Sequence, residues 1–323
     1  MRSELEFIQH IKEKYSSNRI GDDCAVLPKD DKTDLVVTAD MLVEDIDFRL
    51  EWTTPEFLGH KALAVSLSDV AAMGAKPVWG MLSLGVPEKL WNGDFVDRFY
   101  LGWHEIAQRS KVEMVGGDVS RTPDKLVIDS IVGGEADKGR AILRSGAAVG
   151  DAVVVTGSVG GSAGGLKLLQ NGNRFDKSTS AWEKELMSVH LRPSPRTETA
   201  IYLQAPGFVT SMIDISDGLA SDLQHICAAS GVGARLDAHA IPMHRDLEKL
   251  TGSFDERLNL AFNGGEDFEL LFTLPPQSLQ MLLEIRVHGP FTVIGEITAR
   301  ASKIELILDG DLTTIEPHGY QHF

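Results

Sequence analysis

"GHKALAVSLSDVAAMGAKPVWGMLSLGVP", residues 59–87, decides the fold class. Residues 59–76 read as a helix that stops at Gly74, with Pro77 following to prevent its continuation. Residues 77–87 then read as a strand. From Ala62 to Ala75 every residue is apolar or small except Ser66, Ser68 and Asp69. A helix apolar nearly all round belongs in a core. A buried, unpaired carboxylate costs several kcal/mol, so Asp69 must be neutral, paired with a base from elsewhere, or metal-bound.

Outward from this unit the elements keep alternating. "DLVVTADML" (34–42) is rich in β-branched residues and reads as a strand with Asp40 near its exit. Phe95, Phe99, Trp103 and Ile106 keep a helical period. "VEMVGGD" (112–118) is a short strand entering a glycine turn, and "KLVIDSIVGGEA" (125–136) is another strand. Around 139–151 the texture turns small, polar and glycine-rich, which suits a domain junction. Beyond it, "MIDISDGLASDLQHI" (212–226) is a strand leading into a helix, and "GGEDFELLFTL" (264–274) a glycine turn leading into a strand. The expectation is a mixed α/β (α+β) chain in two domains, 1–138 and 139–323.

The chain has 323 residues and a net charge of −16, from 31 basic and 47 acidic side chains. It shows no basic stripe of the kind a nucleic-acid binder carries. Such acidity suits an enzyme of anionic substrates only if cations mediate the contact. Cys24 and Cys227 lie far apart in sequence, which excludes a disulfide framework and a metal-type spacing. The amphipathic start, with Phe7, Ile8, Ile11 and Tyr15 on one side, is no signal peptide, and no apolar run approaches the roughly 18 residues of a membrane span. A cytoplasmic protein with no membrane contact is expected.

"GSVGGSAGGLK" (157–167) follows a strand and opens a helix, yet it fits no phosphate fingerprint. Gly160 to Gly165 has the Walker spacing, but Leu166 stands where lysine is required. Either the helix N-terminus holds phosphate or the glycines serve close packing.

The acids recur in one kind of place. Asp22 and Asp23 follow a turn, Asp40 ends a strand, Asp118 sits in "GGD", and Asp214 and Asp217 flank Ser216 where a strand meets a helix. Asp217 alone could be a helix N-cap. Together, acids at strand exits and glycine turns are what Mg²⁺ asks for, since it takes oxygen ligands and bridges carboxylates to phosphates.

"IGDDCAVL", "VVTADMLVED", "HKALAVSLSDVAAMGAKP", "VGGDVSR", "GRAILRSGA", "HLRPSPR", "IDISDGLASDL", "NGGEDFEL" and the terminal "GYQHF" occur in this order along nearly the whole chain. Collectively they resemble the thiamine-monophosphate kinase family of the aminoimidazole-ribonucleotide-synthetase-like superfamily. The resemblance implies a homodimer whose N-terminal mixed sheets pair across subunits, with a C-terminal α/β sandwich. It implies ATP-dependent phosphorylation of thiamine monophosphate to thiamine diphosphate, assisted by several Mg²⁺ ions. By motif, the metal ligands would be Asp23, Thr38, Asp40, Asp69, Asp118, Asp214 and Asp217, with Ala39 serving only through its carbonyl. Asp40, Asp69, Asp118 and Asp214 would be the catalytic acids. Gly117, Asp118, Arg144 and Ser216 would contact ATP, and Glu266, Tyr320 and Asp47 the thiamine phosphate. The family commonly has Gly and His where Asp45 and Asp47 stand. Two alternatives stay open: another ATP-using member of the superfamily, of the selenophosphate or aminoimidazole ribonucleotide synthetase type, or a non-catalytic nucleotide-binding protein.

Overall fold

The computed structural model describes residues 4–204, 208–284, 290–316 and 318–320. The first half runs α1 (Glu4–Tyr15), β1 (Ala25–Pro28), β2 (Thr33–Val43), α2 (Pro55–Ala72), β3 (Lys76–Pro87), α3 (Glu88–Trp91), α4 (Phe95–Ser110), β4 (Glu113–Thr122) and β5 (Val127–Asp137). Its strands form a mixed sheet ordered β1-β2-β5-β3-β4, in which β3 and β4 are parallel.

The second half runs β6 (Ala152–Thr156), α5 (Gly161–Gln170), α6 (Ala181–Leu191), α7 (Thr197–Leu203), β7 (Ser211–Asp214), α8 (Leu219–Ser230) and β8 (Gly233–Asp237). It continues through β9 (Leu270–Leu274), β10 (Phe291–Thr298), β11 (Ile304–Leu308) and β12 (Asp311–Ile315). These strands form a second mixed sheet, ordered β12-β11-β8-β10-β6-β9-β7. β6, "AVVVT", is buried throughout, as a strand covered on both faces must be.

Helix α2 explains its own composition. Thr54 caps it by accepting from the Phe57 N–H at 3.2 Å, and Pro55 occupies its first turn. It packs on β2, β3 and β5 on one side, on α4 on another, and on α7 and β7 of the second half. A helix enclosed by both halves has no solvent face to decorate. Burying each of Leu58, Leu63 and Leu67 contributes roughly 2 kcal/mol. Gly59 lets α4 come close, because a Cβ there would lie 1.9 Å from the Phe99 carbonyl oxygen.

Three expectations are corrected. The strand expected at 112–118 continues to Thr122 and is exposed along almost all of its length, because β4 is a sheet edge. The strand expected from Gly264 begins only at Leu270, and residues 264–269 are irregular. The helix expected over 59–76 starts earlier, at Pro55, and ends at Ala72, because Thr54 caps it and Pro55 opens its first turn. Among the described residues no helix is long and apolar enough to cross a membrane.

Candidate active site

The acids predicted from separate motifs meet where α2 crosses the ends of β2 and β7. Asp23, Asp69 and Asp214 each place a carboxylate oxygen within 4.8 Å of the others. Three hydroxyls aim these groups. Thr38 Oγ1 donates to Asp69 Oδ2 at 2.5 Å, Ser66 Oγ to Asp40 Oδ2 at 2.7 Å, and Ser68 Oγ to Asp214 Oδ2 at 2.6 Å. The two serines that interrupt the apolar helix thus each serve an acid. No lysine or arginine pairs with Asp69 among the described residues, so the ion-pair alternative for Asp69 falls away.

Arg144 is the cation that the cluster does hold. Its Nη2 and Nε donate to Asp23 Oδ1 at 2.5 and 3.2 Å, and its backbone N–H donates to Asp22 Oδ1 at 2.8 Å. The adjacent Asp22 and Asp23 are therefore both occupied with one arginine.

One arginine is too little charge. Burial pushes all four acids up, and they raise one another: Asp40 to about 6, Asp214 to about 8, and Asp69 well above the usual carboxylate range. Asp23 is also raised, since burial outweighs Arg144. Its Oδ2 is buried with no hydrogen-bond partner among the described residues. Converging carboxylates whose proton affinity is raised for want of countercharge fit a hard divalent cation.

Gly117 and Asp118 do not join them within this chain. In the sheet register Asp40 lies opposite Ser130, Ser130 opposite Leu82, and Leu82 opposite Gly117. Three strand spacings make about 14 Å. Asp118 shares the row of Ser83, Asp129 and Met41, so the pleat sends it to the sheet face opposite α2. One metal cannot be held by Asp40 and by the same chain's Asp118. The glycine at 117 has a local reason too, since a Cβ would lie 1.9 Å from the Leu82 carbonyl oxygen. Ala39 likewise points its methyl away from the cluster, between Thr38 and Asp40.

Beside the cluster opens a cavity of about 420 Å³. Asp40, Ser216 and Asp217 lie at its wall together with Asp47, Glu266 and Tyr320, so the residues expected for metal, nucleotide and acceptor share one space. Tyr320 is tethered by its backbone N–H to the Asp217 carbonyl at 3.2 Å. Asp47 Oδ2 accepts from the Val43 N–H at 2.7 Å and closes its own loop. Asp45 has φ +73°, a left-handed conformation that glycine adopts without strain, which accounts for the family's usual residue there. Here an ion pair with Lys125 steadies the aspartate instead.

The model of the AIR synthase related protein, N-terminal domain, matches residues 21–136, and that of its C-terminal domain matches residues 148–307. Thiamine-monophosphate kinase of Bacillus subtilis is 38% identical over 312 residues, covering 94% of this chain and 93% of that protein. The chain belongs to the thiamine-monophosphate kinase family. The family's protein from Escherichia coli K12 is 39% identical over 308 residues, covering 94% and 91% of the two chains. Among solved structures, AaThiL complexed with AMPPCP and TMP superimposes with a TM-score of 0.87 at 33% identity, covering 99% of this chain and 97% of that one. Thiamine-monophosphate kinase from Stenotrophomonas maltophilia gives 0.81 at 35% identity, covering 94% and 96%.

In this thiamine-monophosphate kinase family member, several residues beyond the sequence motifs' obvious acids support the site. Asp222 Oδ2 accepts from the N–H groups of Ser216, Asp217 and Gly218 at 3.1, 3.2 and 3.1 Å and locks the loop carrying Ser216 and Asp217. Gly218, not Asp217, occupies the cap position of α8. The glycine loop before α5 is closed to phosphate: Asp267 accepts from the N–H groups of Gly160 and Ser162 at 2.5 and 2.9 Å. Buried Lys61 stands 2.7 Å from Glu266 Oε1, and buried His190 stands 3.1 Å from Glu266 Oε2. No spacing in the sequence signals that three-way contact. Cys24 is buried in the core of the first half, close enough to the acids for their charges to act on it, and both cysteines are free.

Proposed function

We propose that this chain transfers the γ-phosphoryl group of ATP directly to the phosphate of thiamine monophosphate, giving ADP and thiamine diphosphate. The observation that carries this reading is the convergence of Asp23, Asp69 and Asp214 beside one cavity walled by Asp40, Asp47, Glu266 and Tyr320. The acceptor is a phosphate monoester with a second pKa of about 6, so at neutral pH it is mostly a dianion and needs no general base. The remaining obstacle is repulsion and alignment between two polyanions.

Asp23, Asp40, Asp69 and Asp214 would hold Mg²⁺, joined by Thr38 and Asp217. Bound there, Mg²⁺ supplies neutralisation of the phosphate oxygens and their in-line alignment. Arg144, fixed by Asp22 and Asp23, presents a positive charge that phosphate can share. Asp222 keeps Ser216 in place for the nucleotide. Tyr320, half exposed at the wall, offers its ring to the cationic thiazolium, a contact worth about 0.5–2 kcal/mol.

Gly117 and Asp118 enter this reading from a second copy of the chain. The edge strand β4 that carries them is exposed and displays Val115 and Val119, which suits burial against a partner. A homodimer would bring Gly117 and Asp118 from a partner's β4 to the site that its own chain cannot reach. Incubating the purified protein with ATP, thiamine monophosphate and Mg²⁺ tests the reading. Thiamine diphosphate should form, EDTA should abolish it, and Mg²⁺ should restore it. Nucleotide binding without ADP formation would instead support the non-catalytic alternative.

A further inference from the structure

His190 lies in the last turn of α6, is only 4% exposed, and lines the cavity. Its Nδ1 lies 3.1 Å from Glu266 Oε2 and 3.0 Å from Ser162 Oγ. Glu266 must be ionised: burial alone would raise its carboxyl, but Lys61 and His190 outweigh burial and hold it down at about 2. A carboxylate only accepts, so the proton between it and the imidazole belongs to Nδ1, and the Ser162 hydroxyl can accept from the same N–H. Burial, and then the Lys61 charge, lowers the imidazole's own affinity for a second proton. Nε2 is consequently bare. Among the described residues Nε2 meets no hydrogen-bond partner and is not fully enclosed, and His190 is one of the residues that line the cavity.

A bare imidazole nitrogen repels phosphate oxygens and attracts an N–H. Thiamine monophosphate, the acceptor in the reading above on which this inference rests, carries one such group: the exocyclic amine of its aminopyrimidine. Beside that amine, the ionised Glu266 adds a second acceptor at the same wall. We infer that His190 is a specificity-determining residue whose Nε2 accepts a hydrogen bond from the acceptor's exocyclic amine, selecting amino-substituted over oxo-substituted pyrimidines. The order Lys61–Glu266–His190 has a purpose on this view. Buried Lys61 fixes the charge of Glu266, Glu266 fixes the tautomer of His190, and the tautomer fixes which substituent is accepted.

The test compares thiamine monophosphate with its 4′-oxo analogue, oxythiamine monophosphate, as acceptors. The native protein should favour the amine by at least about tenfold in kcat/KM, as expected when a buried acceptor is otherwise left unpaired. His190→Asn keeps a donor where Nδ1 stands and removes the acceptor at Nε2. It should bring the preference to within about twofold, by raising KM for thiamine monophosphate with KM for ATP unchanged. His190→Gln, whose amide reaches the Nε2 position, should retain most of it. Should the variants fail to fold, ¹⁵N NMR of the native imidazole decides: Nε2 should be unprotonated and shift with thiamine monophosphate but not with the oxo analogue. Equal use of both acceptors by the native protein, an unchanged preference in a folded His190→Asn, or a protonated Nε2 overturns the inference. A native protein that converts no thiamine monophosphate overturns the functional reading as well, so the two failures are distinct.

Discussion

Asp69→Asn should make the metal-free protein more stable and the enzyme nearly inactive. Two like charges 4.8 Å apart at an effective dielectric of about 20 repel by about 3.5 kcal/mol, and ionised Asp69 faces both Asp23 and Asp214. If Asp69 is protonated instead, the folded state bears about 1.4 kcal/mol for every pH unit above the ordinary value of 3.8. Either way asparagine relieves the cost, and its amide oxygen can still accept from Thr38. A gain of about 2 kcal/mol, divided by about 2.1 cal/mol/K for each residue of the chain, gives about 3 °C in Tm. In EDTA at pH 8, differential scanning calorimetry should therefore place the variant a few degrees above the native protein. Adding Mg²⁺ should raise Tm of the native protein and do little for the variant. Turnover should fall more than about 100-fold, as when a charge-holding group is removed from a transition state. A folded variant with near-normal turnover, or one less stable in EDTA with its Mg²⁺ response intact, would refute the reasoning and make Asp69 a packing residue.

Other consequences are as specific. Burial first, and mutual repulsion second, raises Asp40 from 3.8 to about 6 and Asp214 to about 8, so the folded chain binds more protons than the unfolded one in that window. The contribution of these two acids to metal-free stability is thus full below pH ~4 and is lost as pH rises to about 8, with Asp40 alone accounting for about 3 kcal/mol; urea midpoints in EDTA that stay flat between pH ~5 and ~8 would contradict it. Asp118→Asn and Asp69→Asn proteins should each be inactive, yet if the proposed homodimer forms, mixing and re-annealing them should restore activity, because one hybrid site then carries both intact acids. No recovery despite proven subunit exchange would place Asp118 outside the partner's site. Asp47→Ala should raise KM for thiamine monophosphate several-fold and leave that for ATP unchanged; a selective loss in the ATP parameter would move Asp47 to the metal set.

The parts of this site that were legible in sequence are the ones where a side chain violates its own surroundings. Asp69 in an apolar helix stands out because a buried carboxylate needs a partner, whereas Asp22 and Asp23 after a glycine read equally well as a solvated turn until the other acids are set beside them. Gly74 marks the end of α2 by chemistry that needs no tertiary knowledge, whereas its start, expected at Gly59, lies four residues earlier at Pro55 behind the Thr54 cap. What stayed hidden depends on residues brought together only by folding. Ser66 and Ser68 look like small core residues until Asp40 and Asp214 arrive from other strands. Lys61, Glu266 and His190 come from three distant elements, and only their contact shows that a buried lysine is tolerable. The glycine loop invited a phosphate until Asp267 filled its N–H groups. Asp118 shares a motif type with the other acids, yet the strand order β1-β2-β5-β3-β4 leaves it at the far edge, and strand order is not written in any one segment.

The central claim is direct transfer between two phosphates in one cavity, without a protein-bound intermediate. Rapid-quench single turnover with γ-labelled ATP, excess enzyme, Mg²⁺ and thiamine monophosphate measures it. The label should pass from ATP to the terminal phosphate of thiamine diphosphate with one ADP formed per label transferred, and none should remain on protein at any time point. Label appearing first on the chain, or released as free phosphate while thiamine monophosphate is unchanged, would contradict it.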